Sequence, residues 1–250
     1  MNLNKEIGWL IKEKYKGKPT KETEKDVKRL KAGEPIDYVI GFTSFLGCKI
    51  DLSKKPLIPR QETEFWVEKA IEEIKNDLSR RPSLKVLDIF AGSGCIGLAI
   101  LSKVDCATVH FSEKAKKFLK QIEINLGLDK IKKSRYKIIQ SDILSGVKEK
   151  YDYILANPPY IATTRKNRIQ KSVLVFEPRN ALFGGEDGFY YIKKFLTDAR
   201  SFLNVGGKIY MEFDYLQKRG LEKLLKHLNY SSYKFNKDQF NKWRYLTINN

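Results

Sequence analysis

Between Leu84 and Ala156 short apolar runs alternate with amphipathic stretches, and nothing else in the chain narrows its fold as much. The predicted order is strand 84–89, helix 95–103, strand 107–111, helix 113–127, strand 136–140 and strand 151–156. Strands joined through helices are the mark of a parallel α/β sheet covered on both faces. In such sheets ligands collect outside the carboxyl ends of the strands. Ahead of this block, residues 1–31 read as one or two short charged helices, with Ile7, Leu10, Ile11 and Tyr15 at helical spacing. Gly33-Glu34-Pro35 breaks that pattern, and Tyr38–Gly41 and Phe45–Ile50 read as two strands of a hairpin. A further helix is expected from near Glu62, and late strands at Lys208–Phe213 and Trp243–Ile248. The expected division is a helical region at 1–35, a hairpin connector at 36–55 and the main domain at 56–250.

Two corners at predicted strand ends carry chemistry. The first is Val86-Leu87-Asp88-Ile89-Phe90-Ala91-Gly92-Ser93-Gly94-Cys95-Ile96-Gly97, a buried strand, a glycine turn and the start of a small-residue helix. Gly92, Gly94 and Gly97 match G-x-G-x-x-G, a nucleotide-binding spacing that a ligand-free tight turn also produces. Asp88 adds information. A carboxylate there would repel a diphosphate but suits a cationic ligand end such as the amino group of S-adenosylmethionine, which points away from NAD.

The second corner is Asn157-Pro158-Pro159-Tyr160, directly after the apolar run 151–156. Two prolines fix φ and remove two N–H groups, so the turn is stiff and its carbonyls are left outward. The Asn157 side-chain oxygen and the Pro158 carbonyl can each accept one N–H of a planar –NH2, while Tyr160 packs on its π-system. That suits attack of an amide or exocyclic amine nitrogen on an electrophile. The plainer alternative is a strand followed by a Pro-Pro turn.

Composition bounds the partners. Lys and Arg number 48 against 30 Asp and Glu, a net charge of +18, which invites weak association with RNA or the ribosome. The lysines are spread along the whole chain; the one concentration near the second corner is Arg165, Lys166, Arg168 and Lys171, a solvated loop or a partner-facing one. Three cysteines without C-x-x-C spacing argue against a disulfide framework, and two histidines make a zinc site unexpected. No leader or membrane-spanning run is evident, so a cytoplasmic location and no membrane partner are expected.

From about Leu30 onward the chain resembles the HemK/PrmC glutamine methyltransferases, within the class I S-adenosylmethionine-dependent methyltransferases. The resemblance rests on Gly33-Glu34-Pro35, on Leu57-Ile58-Pro59-Arg60-Gln61-Glu62-Thr63-Glu64 and on the Asp88 glycine loop. It continues through Asn157–Tyr160, Glu177-Pro178-Arg179, Leu182–Gly188, and Glu212 with Gln217. It implies a Rossmann-like sheet of seven strands, mostly parallel with the last antiparallel, making residues 56–250 the methyltransferase domain. It also implies methylation of the side-chain amide in the Gly-Gly-Gln motif of peptide chain release factors, with S-adenosylhomocysteine as product and no metal. The implied cofactor-binding residues are Asp88, Phe90, Ala91, Gly92, Ser93, Gly94, His110, Asp142, Ile143 and Asn157. The implied catalytic residues are Asn157, Pro158, Pro159 and Tyr160. Asp142 is expected to accept from the adenine amino group, and Ile143 to pack on the ring.

Three features depart from the family pattern: Phe90 stands where the loop usually has glycine, His110 is placed where an acid usually ends the second strand (with Glu113 as the alternative), and the N-terminal helical region is short. The competing readings are an adenine or guanine amino-methyltransferase acting on DNA or rRNA, and a non-catalytic protein whose cofactor site has been lost. A nicotinamide dehydrogenase would leave Asn157–Tyr160 idle.

Overall fold

A computed structural model describes residues 2–79 and 81–250. The N-terminal region is three helices, α1 (Leu3–Tyr15), α2 (Lys21–Lys31) and α3 (Ile36–Ile40), followed by a hairpin of β1 (Phe42–Phe45) and β2 (Cys48–Asp51). The expected strand at Tyr38–Gly41 is therefore a helix ending at Gly41. Its Val-Ile content favours a strand, but Pro35 at its N-cap and Gly41 in the left-handed region at its end (φ 97°) favour one helical turn and a stop. The hairpin lies a few residues later and turns at Leu46-Gly47, both at positive φ.

Leu10, Leu30, Ile36, Val39 and Ile40 form a separate small core for this region. Five side chains at roughly 1.5–3 kcal/mol each cannot offset the ordering of so short a segment by themselves. Ion pairs also tie its elements together. The Glu34 carboxylate accepts from Arg29 Nε at 2.8 Å, Arg29 Nη2 at 3.0 Å and Lys55 Nζ at 2.8 Å, joining α2 to the chain beyond the hairpin.

The main domain follows with α4 (Gln61–Leu78), β3 (Leu84–Ile89), α5 (Cys95–Lys103), β4 (Ala107–Glu113), α6 (Lys116–Leu128), β5 (Tyr136–Gln140) and β6 (Tyr151–Ala156). It closes with α7 (Lys171–Phe176), α8 (Tyr190–Asp198), β7 (Leu203–Glu212), α9 (Lys218–His227), β8 (Tyr233–Lys237) and β9 (Trp243–Asn249). The seven strands lie in the order β5-β4-β3-β6-β7-β9-β8, with β9 antiparallel to both neighbours. One core fills each face: Trp66, Val67 and Ile74 of α4 belong to one, Ile192, Phe195 and Leu225 of α8 and α9 to the other.

Register sets the functional edge. Ile89 pairs with Ser112 on one side and Ala156 on the other, Glu113 pairs with Gln140, and Ala156 pairs with Met211. Asp142, Glu113, Phe90, Asn157 and Glu212 therefore leave five neighbouring strands close to one rim. β4 runs two residues past its expected end, to Glu113, and β8 was not foreseen: Tyr233–Lys237 alternates with lysine and asparagine, too polar to read as a strand.

Candidate active site

The loop leaving β3 and the corner leaving β6 open onto the same cavity, about 480 Å3 in volume. Phe90, Ala91, Gly92 and Ser93 line it on one side, Asn157 and Pro159 on another, and Glu113, Asp142 and Ile143 on a third. Its volume is in the range of about 300–1,000 Å3 usual for small-molecule sites. Phe90 does not plug it: the ring turns aside to meet Tyr191 and Phe195 edge-on, each at 6.1 Å between centroids. It does so from φ 62°, a left-handed conformation that glycine would adopt without strain.

Glu113 is the acid at the end of the second strand. Its Oε2 accepts the Gly92 N–H at 2.9 Å and its Oε1 the Ala115 N–H at 2.8 Å, so the carboxylate ties the glycine loop to the start of α6 while lining the cavity. His110 lies three residues below the rim, level with Leu87, and is not in the cavity wall. Its Nδ1 is 2.9 Å from the Tyr151 hydroxyl, and burial pushes its pKa down. The placement of His110 at the strand end is corrected accordingly, because the strand extends through Ser112 to Glu113.

Asp88 is also set back. It is fully buried behind the loop, with Oδ2 accepting the Gly97 N–H at 2.8 Å and Oδ1 without a partner among the described residues. Burial pushes its carboxyl well above the usual range, which disfavours the charged form expected to face a cationic ligand end. Gly94 is likewise outside the cavity wall; it caps α5 at φ 78° with Ile122 packed over it. Asp142 does line the cavity. Burial alone would raise its pKa, but Lys114 and Lys194, both at 3.3 Å, hold it below the ordinary value.

The corner itself is held from behind. Asn157 Nδ2 donates to Thr63 Oγ1 at 3.2 Å, and Thr63 Oγ1 donates to Glu212 Oε2 at 2.6 Å. Glu212 is buried and takes two more donors, Trp66 Nε1 at 2.7 Å and the Tyr160 hydroxyl at 2.8 Å. Burial, with Glu212 alongside, keeps the Tyr160 phenol protonated far above its ordinary pKa. Its ring thus turns toward Glu212 and lines a second hollow of about 250 Å3, with Arg165, Asp214 and Gln217, rather than the main cavity. Among the described residues neither Asn157 Oδ1 nor the Pro158 carbonyl accepts a hydrogen bond from the protein. Two free acceptors on a stiff turn are what a planar –NH2 needs.

The segment Gly184–Gly188 clamps the corner from outside. A Cβ on Gly184 would meet the Pro159 carbonyl oxygen at 2.4 Å, so only glycine allows that approach. Gln217 Nε2 then donates to both the Tyr160 and Gly188 carbonyls, at 3.1 and 3.0 Å.

A release factor glutamine methyltransferase of Lactococcus lactis is 34% identical to this chain over 222 residues, 88% of this chain and 79% of that protein. The chain belongs to that family. A second member, from Rhodopirellula baltica, is 38% identical over 191 residues, 74% of this chain and 63% of its own length. The methyltransferase small domain model matches residues 69–186, from within α4 to the Gly184–Gly188 clamp. Among solved structures, a methyltransferase from Pyrococcus furiosus superposes with a TM-score of 0.56 at 18% identity, covering 92% of this chain and 98% of that one. A ribosomal protein L11 methylase from Lactobacillus delbrueckii subsp. bulgaricus gives 0.53 at 18%, covering 79% and 81%. Both bear out the class I methyltransferase fold, and family and fold together imply use of S-adenosylmethionine. The family's cavity accommodates that group here in its donor set. The carboxylates of Glu113 and Asp142 stand on one wall with the apolar Ile143, which suits a nucleoside's hydroxyls, amine and flat ring. No helix among the described residues is long and apolar enough to cross a membrane.

The residues that reading the sequence left without a role are Thr63, Trp66 and Glu212. In the sequence Thr63 and Glu212 stand out only as marks of family resemblance. A charge closing the apolar strand Ile209-Tyr210-Met211-Glu212 was the available signal, because a carboxylate in a core needs donors.

Proposed function

We propose that this protein transfers a methyl group from S-adenosylmethionine to the side-chain amide nitrogen of a glutamine, in the Gly-Gly-Gln motif of a peptide chain release factor. The observation that carries the reading is the pair of unused acceptors, Asn157 Oδ1 and the Pro158 carbonyl, on a corner whose Asn157 and Pro159 line the cavity shared with the glycine loop, Pro158 itself being buried outside the wall. The names of the relatives support it. When bound, the cofactor supplies an electrophilic methyl on a sulfonium sulfur, which becomes a neutral thioether as the nitrogen takes the methyl and sheds a proton to solvent.

The residues supply position. An amide nitrogen is a poor nucleophile because its lone pair is delocalised into the carbonyl. Accepting one N–H at Asn157 and the other at Pro158 aims that lone pair across the corner. Holding the two reactants in line can be worth effective molarities of ~10⁵ M or more. No general base is required while the nitrogen remains protonated through the transfer. Glu113 would hold the ribose hydroxyls, Asp142 the adenine amine, Ile143 the ring face, and Phe90–Ser93 the methionine part. With a release factor as partner, a cytoplasmic location belongs to the same proposal.

Purified protein with methyl-labelled cofactor tests the reading. Label should enter a release factor, fail to enter the same factor with the Gly-Gly-Gln glutamine replaced by alanine, and be absent from rRNA and DNA. Label in either nucleic acid with none in the factor would overturn it.

A further inference from the structure

Of the two ends of the Asn157 carboxamide, only the oxygen can accept from a substrate –NH2, and the corner alone does not decide which end faces outward. Glu212 decides it. An ionised carboxylate only accepts, and an indole N–H only donates. Glu212 Oε2, already receiving Trp66 Nε1 at 2.7 Å, therefore takes the single proton of the Thr63 hydroxyl at 2.6 Å. With its proton spent, Thr63 Oγ1 can only accept. The Asn157 group 3.2 Å away must be its –NH2, and Oδ1 is turned to the free side.

We infer that Thr63, polarised by Glu212, is a positioning residue that fixes the orientation of the Asn157 carboxamide and so the polarity of the amide-binding corner. Without a carboxylate at 212 or a hydroxyl at 63, the carboxamide can turn over and present donors to a donor. Tyr160 contributes from the other side: its hydroxyl holds Glu212 Oε1 at 2.8 Å, so both carboxylate oxygens are fixed. The relay joins the N-terminal turn of α4 to the ends of β6 and β7, 94 and 149 positions away in the chain. The inference rests on the reading of Asn157 given above, and its test is separable from that reading.

Thr63→Val keeps the volume and removes both hydrogen bonds; Thr63→Ser keeps the hydroxyl. With release factor as acceptor, Thr63→Val should lower kcat about tenfold, the scale of losing one orienting hydrogen bond, and Thr63→Ser should restore it to within about threefold. Affinity for S-adenosylhomocysteine should stay within about twofold of wild type in both. In an Asn157→Ala background Thr63→Val should have no further effect on kcat at saturating cofactor, because the carboxamide it orients is gone. A second readout needs no turnover. In protein labelled with ¹⁵N-asparagine, the Asn157 side-chain –NH2 should show a hydrogen-bonded proton shift in wild type and Thr63→Ser that Thr63→Val abolishes. Thr63→Cys, a weak acceptor, serves in its place should the valine variant not fold. Wild-type kcat, unchanged Asn157 resonances, or an equal loss on the Asn157→Ala background would each overturn the inference. A wild-type protein that methylates nothing would sink the glutamine reading, and the resonances would still decide this one.

Discussion

Replacing Gly188 by alanine should slow methyl transfer without weakening cofactor binding. A Cβ there would lie 2.3 Å from the Tyr160 carbonyl oxygen, 2.9 Å from Gln217 Nε2 and 3.1 Å from the Ala162 nitrogen. Since real Cβ atoms do not approach closer than 3.0 Å, about 0.7 Å must be found. Gly188 cannot yield it freely, because Gln217 binds its carbonyl and that of Tyr160 together. Its φ of 81° adds about 1–2 kcal/mol for a side chain in the left-handed region, and overpacking adds about 1–3 kcal/mol. Stability should fall by about 2–5 kcal/mol, a Tm drop of roughly 4–20 °C. The displacement passes to the corner itself, where an error near 1 Å in a reacting geometry can cost about 10²-fold in rate. Gly188 is not in the cavity wall. The assay is kcat with a release factor, well below the variant's Tm, beside calorimetric titration with S-adenosylhomocysteine. The expected result is kcat reduced about 10²-fold with a Kd within about twofold of wild type. A folded variant with wild-type kcat would refute the claim that this glycine holds the corner in place.

Glu113→Gln should weaken S-adenosylhomocysteine binding by roughly 10- to 100-fold, the worth of one charge-assisted hydrogen bond, read by calorimetry; unchanged affinity would remove Glu113 from the ribose site. His110→Gln should leave that affinity within about twofold, since His110 lies outside the cavity wall; a tenfold loss would return it to the site. The third concerns pH. Arg29 bonding first, with Lys55, holds the Glu34 carboxyl down to about 2 from 4.5, so its folded pKa is below its unfolded one. The stability it contributes is fully present above about 4.5 and is lost as pH falls through about 2. Glu34→Gln should therefore flatten the acid limb of a pH–Tm curve in that window, and an unaltered limb would contradict the assignment.

The strands that periodicity marked out clearly, 84–89, 136–140 and 151–156, lie where the sequence places them, and so does the helix at Cys95–Lys103. These are buried runs with sharp turn residues at their ends. The second parallel strand ended two residues later than expected because its last positions, Ser112 and Glu113, are polar. Polar residues are what a functional rim needs and what an apolar pattern cannot register. An apolar pattern that stops two residues early brings His110 to the rim and leaves Glu113 as the alternative. Asp88 was placed by its charge alone; its burial depends on how tightly α5 packs through Gly97, where a Cβ would meet the Phe111 ring at 2.3 Å. Asn157 and the two prolines were legible because local chemistry defines them. Thr63 and Glu212 were not, because only the sheet order brings the start of α4 beside the end of β7.

The central claim is that Asn157 supplies one of two acceptors that grip an amide –NH2 at the rim. The most direct measurement is single-turnover methyl transfer by Asn157→Ala to a release factor at saturating cofactor. The account predicts a rate lower by about two orders of magnitude, the scale of losing one well-placed polar contact in a reacting site. Transfer at near the wild-type rate would contradict it.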